Sequence, residues 1–148
     1  MGSRRRAREC ALQLMYMWEY HRTLDHPGVR AFWESVEREP GGQEARDFAM
    51  LLVSGVIRRL AEVDELIRQA SLNWRIDRMA MVDRNILRLA TFELMEVLDT
   101  PIKVVLNEAI ELSKRFGTED SGAFVNGVLD KVGSLVRPQQ KPEVRGEA

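Results

Sequence analysis

The sequence predicts an all-α protein, and three observations carry that prediction. Apolar residues recur three and four positions apart through most of the chain, which is the period of a helix with one buried face. No stretch sustains the alternate-residue pattern of a strand bounded by turn dipeptides. Proline and glycine fall where helices start and stop, at Pro27, Pro101 and Gly117.

The first helix is expected over about residues 3–21, because Ala7, Ala11, Leu14 and Trp18 lie on one face. Pro27 suits the first turn of a second, short helix that ends before Pro40 and the Gly41-Gly42 pair. From Gln43 the apolar series Phe48, Leu51, Leu52, Gly55, Val56, Leu60, Val63, Ile67, Ala70 is compatible with one long helix or with two joined near Arg59. After an irregular piece through Trp74 and Ile76, a strongly periodic helix is expected over about 78–98. Its buried stripe would be Val82, Ile86, Leu89, Ala90 and Val97. Thr100 and Pro101 read as cap and first residue of a helix that turns Ile102, Val105, Ala109, Leu112 and Phe116 inward and stops at Gly117. Thr118 is expected to cap a last helix, with Glu119 and Asp120 in its positive first turn and Val125, Val128, Leu129, Val132 and Val136 in the core. Beyond Arg137, three breakers (Pro138, Pro142, Gly146) and little apolar content predict a disordered tail over 138–148.

Length and composition limit the function classes. A chain of 148 residues suits one domain or two small subdomains sharing a core, without room for a second catalytic domain. No apolar run approaches the roughly 18 residues that span a bilayer, and arginines lead straight into an amphipathic segment where a signal peptide would be apolar, so a cytoplasmic protein is expected. One cysteine, Cys10, excludes an intramolecular disulfide framework, and with only His21 and His26 beside it no four-ligand zinc site is expected. The net charge of −1 carries no global polyanion signal. Its distribution does: Arg4, Arg5, Arg6 and Arg8 fall in the first eight residues with no acid among them.

Two stripes have the chemistry of a nucleic-acid surface. Opposite the core stripe of the first helix lie Arg5, Arg6, Glu9, Gln13, Tyr16 and Tyr20, so the only two tyrosines share the arginine face. Guanidinium groups neutralise phosphates and aromatic rings stack on unpaired bases, although a solvated basic end would read the same way. On the last helix Phe124, Gly127 and Lys131 share an edge, with Asp120 one turn earlier. Phe124 there is either the rim of the core or an exposed ring. Gly127 inside a helix costs about 1 kcal/mol relative to alanine and so asks for a packing or contact reason. Glu93 interrupts an apolar stripe and should be buried; with no nucleophile or histidine beside it, a structural ion pair or hydrogen bond is the expected role. Gly117 and Gly122 have phosphate-loop spacing but are followed by Ala123 and Phe124 rather than Lys and Ser or Thr. No paired acid and base argues for an enzyme, and no cofactor is expected.

Longer motifs point to a family. Arg4-Arg5-Arg6-Ala7-Arg8-Glu9-Cys10-Ala11 with Tyr16 and Trp18, Ile86-Leu87-Arg88-Leu89-Ala90 with Glu93-Leu94, and the run from Pro101 through Asn107-Glu108-Ala109-Ile110-Glu111-Leu112 closely resemble the NusB family of bacterial transcription antitermination factors. Phe116-Gly117, Glu119-Asp120-Ser121 and Phe124-Val125-Asn126-Gly127-Val128-Leu129-Asp130-Lys131 extend the resemblance, which covers about residues 4–137 and is least informative over 21–45. It implies about seven helices forming two small bundles, at about 1–75 and 76–137, packed as one compact domain. It implies a protein that pairs with the ribosomal protein NusE, binds boxA-type single-stranded RNA of nascent ribosomal RNA transcripts, and helps RNA polymerase pass terminators. Carried onto this sequence, the RNA face would comprise Arg4, Arg5, Arg6, Arg8, Tyr16, Asp120 and Phe124, with Lys131 added from the shared helix edge. The partner surface would lie around Asp77, Asp83 and Arg84. Ala123 departs from the family pattern, which often has a basic residue there, and predicts weaker RNA affinity at that rim. A NusB-like domain also occurs in some RNA cytosine methyltransferases, but the chain has no room for their glycine-rich cofactor domain. The competing expectation is a protein-only adaptor or homodimeric scaffold that uses the arginine helix as its interface.

Overall fold

The computed structural model describes residues 2–36, 42–72 and 74–140. Among them are seven α-helices and no strand: α1 (Gly2–His21), α2 (His26–Val36), α3 (Gly42–Arg58), α4 (Leu60–Ala70), α5 (Met81–Glu96), α6 (Ile102–Phe116) and α7 (Ser121–Val136). Short 3₁₀ turns occupy Ile76–Arg78 and Pro138–Gln140. The apolar series running from Phe48 to Ala70 is therefore two helices, broken at Arg59. The Arg59 N–H donates to the Gly55 carbonyl at 3.0 Å, as at the end of α3.

The chain divides into two compact units, residues 1–60 and 61–148. The expected division near residue 75 placed α4 with the N-terminal bundle; contacts group it with the C-terminal one. In the first unit α1 packs on α3. Ala7, Ala11, Leu14 and Trp18 are all buried, as the periodicity requires, against a seam that includes Ala45, Ala49, Leu52, Val53 and Val56. Small residues on both helices let the backbones approach, and burying Leu14 or Leu52 contributes about 1.5–3 kcal/mol each. The Asp25 carboxylate caps α2 by accepting the Gly28 N–H at 2.7 Å.

In the second unit α5, α6 and α7 each pack on the other two. α5 is more central than a single stripe implies: all ten residues 85–94 are buried. Val82 and Val97, expected in its core, are only half-buried, as are Phe116 on α6 and Val136 on α7. The polar members of the buried stretch find partners within the unit. Arg88 donates to both carboxylate oxygens of Asp64 on α4, at 2.9 and 3.1 Å, and to Asn85 Oδ1 at 3.2 Å. Thr91 Oγ1 is the exception, buried with no hydrogen-bond partner. Replacing it with an isosteric apolar side chain removes that desolvation cost. Thr91→Val is expected to raise stability by about 1 kcal/mol, read as a higher urea midpoint at unchanged slope. A lower midpoint would mean the hydroxyl is satisfied.

Two expected caps are replaced by other devices. The cap position of α6 is Pro101, and Thr100 is buried with its carbonyl accepting from Arg137. α7 begins at Ser121, whose Oγ accepts the Thr118 N–H at 3.0 Å, while Thr118 Oγ1 accepts the Asp120 N–H at 3.3 Å. Gly117 does end α6, for a steric reason: a Cβ there would lie 2.5 Å from Ser121 Oγ and 2.9 Å from the Ser113 carbonyl.

Arg137 is the largest fully buried side chain among the described residues. Its guanidinium uses all five N–H donors: Nε to the Leu94 carbonyl at 2.8 Å, Nη1 to Thr100 O and Gln140 Oε1, and Nη2 to Glu93 O and Val97 O. The acceptors gather the end of α5, the turn after it and the 3₁₀ turn around one cation; the Glu93 and Val97 carbonyls also accept the Val97 and Thr100 N–H groups at 2.9 and 3.1 Å. Burial pulls the Arg137 pKa down, while the charges of Glu93 and Asp99 oppose the shift. Glu93 is buried, as expected, and its backbone carbonyl accepts from Arg137 Nη2 at 3.2 Å. The expected disordered tail begins instead with the turn at Pro138–Gln140, and its remainder, 141–148, lies outside the described residues.

Candidate nucleic-acid interface

The arginine end of α1 and the edge of α7 belong to different units. On α1, Arg4 and Arg5 are exposed and Arg6 is half-buried, with Nη1 3.2 Å from Glu9 Oε1. Glu9, which the helical wheel placed facing solvent, is buried, and so is Arg8. The Arg8 guanidinium centre lies 5.6 Å from the Phe48 ring of α3 and that of Arg4 lies 4.4 Å from it. The two cations thus fix the start of α1 on an aromatic ring, and outward-facing cationic surface comes from Arg4, Arg5 and the open part of Arg6. Tyr16 and Tyr20 are 51% and 72% exposed, so both phenols are available to a ligand.

On the second unit Asp120 and Lys131 are exposed and Phe124 is half-buried. The Phe124 ring meets the exposed Trp74 in a T-shaped contact, with centroids 5.6 Å apart and planes at 68°. Periodicity left Phe124 open between core rim and stacking ring; the structure makes it part of an aromatic pair at the surface. Gly127 is exposed, and a Cβ built there would meet nothing within 4 Å. Internal packing therefore does not require this glycine. Gly127→Ala is expected to stabilise the fold by about 0.5–1 kcal/mol in urea unfolding. A destabilised variant would reveal a packing role for the missing side chain.

The three residues suggested for a protein partner cluster around the start of α5. Asp77 is exposed and ion-paired with Arg75 at 2.8 Å. Arg84 Nη1 donates to the Met79 carbonyl, closing the turn before α5. Asp83, in the first turn of that helix, keeps Oδ1 buried without a hydrogen-bond partner.

The chain's relatives share this architecture along almost their whole length. The NusB family profile matches residues 5–134. The transcription antitermination protein NusB of Anaeromyxobacter dehalogenans is 53% identical over 144 residues, covering 97% of this chain and 99% of that one. The NusB of Sorangium cellulosum is 50% identical over 132 residues, covering 89% and 92%. The chain belongs to the NusB family. Among solved structures, NusB of T. maritima superposes with a TM-score of 0.80 at 36% identity, covering 93% of this chain and 95% of that one. A structure of the antitermination factors NusB and NusE in complex with double-stranded RNA superposes at 0.79 with 29% identity, covering 91% and 98%. The NusB fold thus accounts for the helices, and no helix among the described residues is long and apolar enough to cross a membrane. Sequence reasoning passed over Trp74 and Arg137. Trp74 offered a signal, an aromatic residue in an irregular segment without periodic partners; Arg137 offered none.

Proposed function

We propose that this chain is a transcription antitermination factor that works without catalysis, as an adaptor between RNA, a NusE-type ribosomal protein and elongating RNA polymerase in the bacterial cytoplasm. The observation that supports it most is the full-length likeness to a NusB solved together with NusE and RNA. The surface chemistry agrees with it. Arg4, Arg5 and Arg6 supply phosphate contacts, Tyr16 and Phe124 supply stacking faces, and Asp120 and Lys131 flank Phe124 on its helix. Arg8 contributes from below, through Phe48, by holding the arginine end of α1 in place. Asp77, Asp83 and Arg84 form the protein-facing site.

Two substitutions separate stacking from charge. Phe124→Ala is expected to weaken a boxA-type single-stranded RNA by about 1–3 kcal/mol. Arg5→Ala should weaken all RNAs alike and lower the slope of log affinity against log salt by about one. Titrations at several salt concentrations measure both. Wild-type behaviour in both variants would remove both surfaces from RNA binding.

A further inference from the structure

Trp74 is the residue that neither the family motifs nor the charge pattern singles out, and its setting is unusual. Of the three tryptophans, Trp18 and Trp33 are buried at 8% and 4% exposure, while Trp74 is 57% exposed. An exposed indole in a loose loop would carry little meaning. This one is held at both ends of its peptide unit. Its N–H donates to the Ser71 carbonyl at 2.8 Å, and its carbonyl accepts from Ser71 Oγ at 3.4 Å. Ser71 is itself buried and bonded through the same hydroxyl to the Ile67 carbonyl at 2.6 Å, which ties the turn to the end of α4. The ring then rests edge-to-face with Phe124, fifty positions away on α7. The fold therefore fixes a large aromatic surface in water beside the ring already placed in the RNA face.

We infer that Trp74 and Phe124 together form a seat for one unpaired nucleobase, with Trp74 as its larger stacking surface. The inference rests on the RNA-binding reading above and names a contact within it. Rigid aromatic faces stack on any base, because every base has a π-face, and indole offers the largest such face. The surroundings suit a nucleotide better than a protein side chain. Gly127, one turn along from Phe124, leaves open space where any other residue would place a Cβ, so a ribose-phosphate backbone can approach the helix. Lys131, one further turn along the same edge, supplies a cation for phosphate, and Asp120, one turn before Phe124, supplies an acceptor for base N–H groups. An apolar protein anchor would be expected to sit in an apolar surround instead.

Because Trp74 is the exposed tryptophan, its emission reports the contact directly. The test titrates the full chain with a boxA-type single-stranded RNA while following tryptophan fluorescence, and in parallel measures affinity by anisotropy of the labelled RNA. Wild type should show quenching that saturates with binding. Trp74→Phe should lose the quenching while keeping most of the affinity, and Trp74→Ala should bind about 5- to 150-fold more weakly. Full affinity in Trp74→Ala, alongside weakened binding in Phe124→Ala, would overturn the seat and leave the RNA face standing. Weakened binding of the ribosomal partner alone, with RNA affinity unchanged, would reassign Trp74 to a protein interface and likewise overturn it. If the wild-type chain, with or without the ribosomal partner, binds no RNA, the RNA-binding reading falls and the seat falls with it.

Discussion

Arg137→Met is expected to lose about 3–5 kcal/mol of stability, a large share of the 5–15 kcal/mol typical of a domain. Methionine fills much of the volume, so the loss measures hydrogen bonding more than a cavity. Without the guanidinium, the buried carbonyls of Leu94 and Thr100 lose their 2.8 and 2.7 Å donors, while those of Glu93 and Val97 lose one of two donors and keep the Val97 and Thr100 N–H groups. Glu93 also loses the positive charge beside it. Arg137→Lys should recover little. An ammonium has three donors around one point, whereas the acceptors surround a planar fork. Urea unfolding followed by far-UV circular dichroism checks both variants. A midpoint for Arg137→Met within about 1 kcal/mol of wild type would show that the end of α5 is satisfied some other way.

The second large effect concerns the attachment of α4 to α5. Arg88 and Asp64 form a two-bond pair whose arginine side chain is 7% exposed and whose aspartate is 26% exposed. Arg88→Ala is expected to destabilise by about 2–3 kcal/mol, below the full cost of a stranded buried ion because Asp64 can regain some water. The Glu65–Arg68 pair on α4 makes the same two-pronged contact, at 2.9 and 2.6 Å, in the open. Arg68 hydrogen bonding, helped by Gln69, holds the Glu65 carboxyl down at about 2. A depressed carboxylate favours the folded state above its ordinary pKa of 4.5, and that contribution fades as pH falls toward 2. In solvent the effect is screened, so Arg68→Ala should leave the urea midpoint at pH 7 unchanged within error. Equal shifts from Arg88→Ala and Arg68→Ala would contradict the claim that burial separates these two pairs.

Much of the helical framework was legible because it rests on local spacing. Ala7, Ala11, Leu14 and Trp18 define a face by themselves, and Gly117 marks a stop wherever the chain after it folds back. Contacts distant in sequence were less legible. Arg137 sits next to Pro138 at the start of a polar tail and drew no reading of its own, because its acceptors are mostly backbone carbonyls that no side-chain pattern records. α5 read as a one-sided helix because Asn85, Arg88 and Thr91 are polar, and the burial of Arg88 depends on a partner on another segment. The grouping of α4 with α5 was hidden for the same reason: the Asp64–Arg88 pair, which binds them, spans 24 positions. For the candidate interface, wheel geometry singled out Arg5, Tyr16 and Phe124, of which Arg5 and Tyr16 are exposed and Phe124 half-buried. It put Glu9 outside, since a wheel cannot see that α3 lies close enough to bury it. Trp74 gained its meaning only from the ring it touches.

The most direct test of the adaptor reading compares a labelled boxA-type single-stranded RNA with a scrambled RNA of equal composition, by fluorescence anisotropy near physiological salt, with and without the NusE-type ribosomal protein. The account predicts tighter binding of the boxA-type RNA and a further gain when the partner is added. Equal, weak binding of both RNAs, unchanged by the partner, would contradict it, reduce the arginine end of α1 to a nonspecific basic arm, and favour a protein scaffold.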